Sequence, residues 1–376
     1  MKAYPARRVA ATATLVIAFS FMPLLAFGGD AGSDGHDCEV KGSILFSRSQ
    51  TDVAGNQNEG GLFRANASGD HVVQLTPLKL GDLYIGGRWS PDGRDFVYEY
   101  TTYSANLVTT TQLYRANRNG DAVRQITVGP GPKLNPVWNA NGWIAFINGQ
   151  DENGCLWIVR PDGRDQHLLF CPNLPVEFVD APQWSLDGKY IYLDVRWQPP
   201  IGLEPPEYSN LYKVNVETGE ATLILSYSTN DGLFDLSVSV APDGNHGIYV
   251  EDLFDTMQVI GYPAGNVVAQ PSGYAPVWSK DSKHFVFTRN LSVPGTTHNF
   301  GALFVADADG SHERQLTPNR VANEFFEAAD WLDDGTHVVV NRSYTNNTVL
   351  IIDVNTGATT KVAEGTAALG AWTKGH

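Results

Sequence analysis

Four carboxylates stand at related places in a repeating chain. Asp180 and Glu327 each lie four residues ahead of a Trp, at Trp184 and Trp331. Asp82 and Asp235 lie near the corresponding places before Trp89 and Val240. If the segments that carry them converge on one axis, side chains far apart in sequence crowd a single mouth. Such a ring attracts a hard cation such as Ca²⁺, held foremost by Asp180 and Glu327, or a basic segment of a partner. The bland alternative is a solvated mouth filled with water.

A second constellation is aromatic. Arg196-Trp197-Gln198-Pro199-Pro200 opens a long connection that continues through Leu203, Pro205, Pro206 and Tyr208. Tyr100, Tyr103 and Phe300 are placed to flank the same face, and His298 falls in another long connection. Proline stiffens such a segment, and a Trp beside an Arg suits an interface anchor or a sugar platform; the bland alternative is a loop folded back on its own apolar residues. Familiar catalytic signatures are missing. There is no Gly-x-Ser-x-Gly elbow, His-Glu-x-x-His, Cys-x-x-Cys, phosphate loop or EF-hand pattern.

The elements that must position these residues come from an internal repeat. Similar hairpins begin at Leu62, Leu113, Leu156, Leu211, Met257, Leu303 and Val349. Between them recurs a Trp-led turn: WSPDG at Trp89, WNANG at Trp138, WSLDG at Trp184, VAPDG at Val240, WSKDS at Trp278 and WLDDG at Trp331. Pro fixes φ at the second turn position and Gly accepts the positive φ that ends it. The Trp residues read as packing between repeats rather than as ligand stackers. A last Trp372 is cut short by the C-terminus, and Lys41 to Phe46 reads as its continuation. The chain therefore predicts an all-β, seven-bladed β-propeller over residues 41–376, its ends joined in one blade so that no sheet edge is left open. Six blades follow if the weak Met257 unit is degenerate.

LYRANRNGDAVRQIT and RWSPDGRDFVY resemble the TolB-type propeller repeat over essentially all of residues 41–376. The resemblance implies a periplasmic or secreted propeller that binds proteins or carbohydrates. TolB proper carries an N-terminal α/β domain for which this chain leaves no room, so a Tol–Pal role is not implied. Without the Ser elbow the propeller-plus-hydrolase peptidases are not models for it. Propellers of the oligogalacturonate-lyase kind use a His-rich metal site. Here only His298 of nine His falls on the long-loop face, which weighs against a lyase.

In an up-and-down blade, two tight turns share one face and the remaining connections share the other. All the length collects on the second face, at 101–111, 149–154, 197–210, 290–301 and 341–348, and function in repeat scaffolds collects with it.

Composition sets the compartment. Lys2, Arg7 and Arg8, an apolar run from Val9 to Phe27 and small residues at Ala26-Phe27-Gly28 predict a cleaved signal peptide over 1–28, with no stable membrane insertion afterwards. A polar leader, 29–40, follows. The formal charge of −15 grows more negative once the three cations leave, which disfavours nucleic acid. Cys155 and Cys171 flank one hairpin symmetrically and predict a disulfide in an exported protein, while Cys38 has no assigned role. The preferred expectation is an exported, monomeric, non-catalytic scaffold that recognises an envelope protein or peptide through the long-loop face or central tunnel. Its sites would be Asp82, Tyr103, Asp180, Arg196, Trp197, Asp235, His298 and Glu327. The alternative is a polysaccharide-active lyase or hydrolase with its site at the tunnel mouth.

Overall fold

The computed structural model describes residues 42–51, 57–77, 82–103, 109–149, 154–172, 178–179, 181–197, 207–229, 236–251, 256–262, 264–317, 321–344, 347–364 and 367–372. The expected signal peptide and leader lie outside these residues, as do Asp180 and Asp235. Among the described residues every regular element is a strand, and no helix is long and apolar enough to cross a membrane, which says nothing of a β-barrel.

In chain order the strands are β1 (Ser43–Thr51), β2 (Gln57–Asn66) and β3 (Val73–Gln74), then β4 (Asp82–Trp89), β5 (Asp95–Tyr103), β6 (Thr109–Asn117) and β7 (Arg124–Gln125). Next come β8 (Lys133–Trp138), β9 (Ile144–Asn148), β10 (Cys155–Val159) and β11 (His167–Phe170). They are followed by β12 (Phe178–Val179), β13 (Gln183–Trp184), β14 (Tyr190–Trp197), β15 (Glu207–Asn215) and β16 (Ala221–Thr229). The remainder are β17 (Leu236–Val240), β18 (His246–Glu251), β19 (Thr256–Gly261), β20 (Asn266–Ala269), β21 (Tyr274–Trp278), β22 (His284–Ser292), β23 (Asn299–Asp307), β24 (Arg314–Gln315), β25 (Phe325–Trp331), β26 (His337–Ser343), β27 (Thr348–Asp353), β28 (Thr359–Glu364) and β29 (Ala367–Trp372). Consecutive strands pair as antiparallel meanders: β4 to β7, β8 to β11, β14 to β16, where β12 and β13 both pair with β14, and β17 to β20. β21 to β24 and β25 to β28 do the same, touching through one parallel pairing of Gly301 with Phe325. β29 pairs antiparallel with β1, ahead of β2 and β3. The weak Met257 unit forms a regular four-stranded sheet, because Met257, Val259 and Ile260 are fully buried like the stronger heads of other units.

Alternation explains the stacking of these sheets. On β5, Phe96 and Tyr98 pack with Leu45 and Leu62 of the preceding sheet. Val97 between them packs with Ile144 and Phe146 of the following one. Each strand thus serves two interfaces, and both faces of a sheet are buried.

The repeated motif residues each close one backbone valence. The Leu-Thr signature works through the Thr hydroxyl: Thr76, Thr127 and Thr317 Oγ1 accept from the N–H of Leu62, Leu113 and Leu303 at 2.9 Å. In the Trp-led turns, the Ser90, Ser185 and Ser279 hydroxyls donate to Asp92, Asp187 and Asp281 at 2.7 Å. That bond holds the three carboxyls below the usual range for Asp. The hairpin Gly has a contact reason as well as a φ reason. Gly120 has φ +83°, and a Cβ there would strike the Leu75 carbonyl of the preceding sheet.

The Trp residues staple neighbouring sheets. Trp184 Nε1 donates to Val137 O at 3.1 Å, Trp278 Nε1 to Ser239 O at 3.1 Å and Trp331 Nε1 to Val277 O at 2.9 Å. In each case the acceptor sits one residue before the Trp position of the preceding unit.

Cys155, at the head of β10, is joined to Cys171 just beyond β11, with Cα atoms 4.5 Å apart across the hairpin. The segments expected as long loops prove shorter. β5 runs on to Tyr103, β14 to Trp197 and β22 to Ser292, and their partners begin at Thr109, Glu207 and Asn299. β-Branched and aromatic residues continue the pairing: Thr101 and Thr111 share a hydroxyl hydrogen bond of 2.8 Å in the middle of one such extension.

Candidate functional site

The first strands of four sheets meet around one cavity of about 720 Å³. Gln183 and Trp184 of β13, Ser239 of β17, Val277 and Trp278 of β21 and Glu327 of β25 line it. Among the described residues Glu327 is the one ionisable group in that lining. Its backbone is paired to Asn341, which fixes the carboxyl on the first strand. The group stays open to water, yet protein surrounds it on the wall, and the loss of bulk solvent raises its pKa above the ordinary range. Nearby Glu324 differs. It is fully buried and neutralised by Arg342, whose Nε lies 2.6 Å from Oε1. A carboxyl that is reachable, paired with no cation among the described residues and raised in pKa by desolvation is suited to giving or taking a proton.

Sequence reasoning found Glu327 but missed Gln183 and Trp184 as cavity residues. Gln183 is pinned by two backbone bonds, Nε2 to Val238 O at 3.1 Å and Val240 N to Oε1 at 2.8 Å. A single Gln carries no pattern that marks this in the sequence. Trp184 is half-buried, staple and cavity wall at once.

The other expected residues are dispersed. Asp82 opens β4 and is buried against a tyrosine cluster: Tyr84 Oη donates to its Oδ2 at 3.5 Å, and the Tyr100 hydroxyl bonds it too. Tyr84 stacks on Tyr100 with centroids 4.9 Å apart. Arg196 is half-buried in β14, opposite Ser209 and Phe178. Trp197 and Tyr103 end their strands, and their side chains lie outside the described residues. His298 is exposed in the turn from β22 to β23. Asp180 and Asp235 border the cavity in sequence, beside its lining residue Ala181 and the start of β17, but are not themselves described.

The Ca²⁺ expectation needs Asp180 with Glu327, so it rests on an undescribed partner. Among the described residues no group of three His, Cys, Asp or Glu side chains is arranged to hold a metal ion, and no step below is routed through one.

Two further buried ionisable groups, on β8 and β5, lie outside that lining. Lys133 is fully buried, and its Nζ donates to the carbonyls of Gly129, Pro130 and Gly131 at 3.3, 2.6 and 2.7 Å. Lys133→Met removes all three bonds, and a loss of about 1–3 kcal/mol is expected, read as a lower denaturant midpoint. Glu99 is buried on β5, where burial outweighs the Asn135 N–H at 2.8 Å and the nearby Arg88 and raises its pKa to about 7. The folded state therefore keeps a proton that the unfolded chain releases near pH 4.5. The contribution of Glu99 to stability is fully present below that value and is lost, by about 3 kcal/mol, as pH rises to about 7. Glu99→Gln keeps the acceptor for Asn135 and should flatten that slope in denaturation curves at pH 5 and pH 8.

No protein-family model matches the chain, and no curated protein matches it. Solved structures do. An oligogalacturonate lyase in complex with manganese is 17% identical, with 86% of each chain covered and a TM-score of 0.60. An oligogalacturonate lyase from Vibrio parahaemolyticus is 15% identical, covering 86% of this chain and 87% of that one, with a TM-score of 0.55. The fold is that of a β-propeller. A putative TolB from Agrobacterium tumefaciens, 14% identical over 89% of this chain and 95% of that one, has a TM-score of 0.44, too low to carry an argument.

These matches correct the expectation of a non-catalytic protein- or peptide-binding scaffold. The propellers matched nearly end to end at TM-scores above 0.5 include lyases, which are enzymes. The sequence-based preference leaned on motif residues that turn and pack, and such residues are silent on activity. A shortage of His on one face is likewise no test of catalysis, since a carboxyl can transfer a proton as an imidazole does.

Proposed function

We propose that this protein is a polysaccharide-active enzyme, a lyase or hydrolase, working at the mouth of a central tunnel with Glu327 as its proton-transfer group. The observation that carries the reading is the raised, cation-free Glu327 carboxyl in a cavity large enough for a saccharide segment. Half-buried Trp184 supplies ring surface on which a sugar can stack, and pinned Gln183 supplies fixed polarity. A hydrolase requires a second carboxylate within about 5–10 Å of the first, and among the described lining residues Glu327 is the one carboxylate. A lyase needs a base to take the proton beside a uronic carboxyl and a proton for the departing glycosidic oxygen, and Glu327 can do the first and, once protonated, the second.

The scaffold we infer is a seven-bladed ring closed by β29 on β1. Its support is that pairing, together with the core in which Ile44 and Phe46 pack against Val339 and Ile351 near the other end of the chain. We infer an exported protein, periplasmic or secreted, from the N-terminal segment 1–28.

The test is incubation of the mature chain with neutral and acidic polysaccharides, following new reducing ends and the absorbance of unsaturated products. Unsaturated ends mark a lyase; reducing ends alone mark a hydrolase. No cleavage across the panel overturns the reading.

A further inference from the structure

Away from the Glu327 cavity, the sheet β4 to β7 carries a groove of about 400 Å³ at the end where β5 turns into β6. Tyr100 and Tyr114 stand edge-to-face in it, centroids 5.3 Å apart, and make an aromatic corner. Thr102 and Thr110 close one side, with their hydroxyls 3.2 Å apart. Gln112 closes the other, held by Thr127 Oγ1 at 2.8 Å and by its own Nε2 on Gly129 O at 3.1 Å. The Tyr114 hydroxyl donates to Gln125 Oε1 at 3.0 Å, and Gln125 is fixed in turn on Thr127 O at 2.7 Å. The walls are therefore set before anything binds, which lowers the ordering cost of association.

Among the described residues no charged side chain lines this groove. Behind it, Tyr100 is bonded to the buried Asp82 carboxylate, so the local field is unfavourable to an anion. Hydroxyls at the rim and ring faces at the corner match a pyranose, which offers hydroxyls at its edge and C–H bonds on its face.

We propose that this groove is a binding subsite for neutral saccharide units, distinct from the Glu327 cavity. It deepens the polysaccharide reading by naming the sugar class held in the groove, neutral rather than uronic. Because β-elimination needs a uronic unit, neutral units here favour the hydrolase branch or, for a lyase, a polymer that mixes both. The subsite itself does not depend on Glu327. A polymer held at the groove is presented to the rest of the protein at raised local concentration.

Isothermal titration of the full chain with cellohexaose, maltohexaose and a galacturonate hexamer tests this. At least one neutral hexamer should bind wild type and Glu327→Gln equally, and more tightly than the galacturonate. Tyr114→Ala should weaken it about tenfold, the worth of one stacked ring. Tyr114→Phe should retain most of the affinity. Thr102→Val/Thr110→Val, at the partly exposed rim and remote from the core, should weaken binding without a change in melting temperature. The subsite is overturned if no neutral hexamer binds or if galacturonate binds best. It is equally overturned if binding survives Tyr114→Ala unweakened, which would place the sugar elsewhere on the protein. Groove binding without any cleavage would leave the subsite standing and sink only the catalytic reading.

Discussion

Glu327→Gln is expected to lower polysaccharide cleavage by about 10²–10⁴-fold, the usual worth of a positioned general acid or base. The exchange keeps the shape and one acceptor oxygen but removes the titrating proton. Binding at the cavity should change little, so the loss should fall on kcat rather than KM. The pH profile adds a second readout. Desolvation raises this carboxyl, so the titration limb that it controls should lie above the ordinary Glu range in wild type and vanish in the variant. Residual cleavage at wild-type rate with an unchanged limb would remove Glu327 from the chemistry. The variant should keep its fold, because Glu327 is solvent-accessible and pairs with no cation among the described residues.

Trp331→Ala should destabilise the fold by about 3–5 kcal/mol, the cost of deleting a fully buried large aromatic. Trp331 is 0% exposed and sits in the core with Val286, Leu303, Val338 and Ile352, where two sheets meet. Its indole also donates to Val277 O at 2.9 Å, so the Ala variant leaves a buried carbonyl unsatisfied as well as a cavity. Trp331→Phe separates the two contributions. It retains most of the ring and forfeits the donor, and about 1–3 kcal/mol is expected. Urea denaturation monitored by circular dichroism measures both. A cost below about 1 kcal/mol for the Ala variant would mean that neighbouring side chains collapse into the space.

The repeat was legible because turn chemistry is local. Ser90-Pro91-Asp92-Gly93 closes its own hydrogen bonds, Leu62 and Thr76 satisfy each other, and Trp331 must be buried wherever it goes. Such residues predict strands, turns and the all-β class without knowledge of any partner. The extents of the hairpins were less legible, since Thr101 and Thr111 read as loop until they face each other across a ladder. The site was legible only in part. Asp82 and Glu327 occupy similar places in their units and looked equivalent.

By itself the sequence determined the strand repeat, its turns, its packing residues and the residue types open to chemistry. Only the tertiary structure decided which of them share a space. It set Glu327 in a cavity with Trp184 and Gln183, strands away in sequence, and set Asp82 instead behind Tyr84 and Tyr100. The reason is physical: turn geometry and strand alternation act within a few residues, whereas desolvation, pKa and a shared cavity depend on sheets brought together from distant parts of the chain.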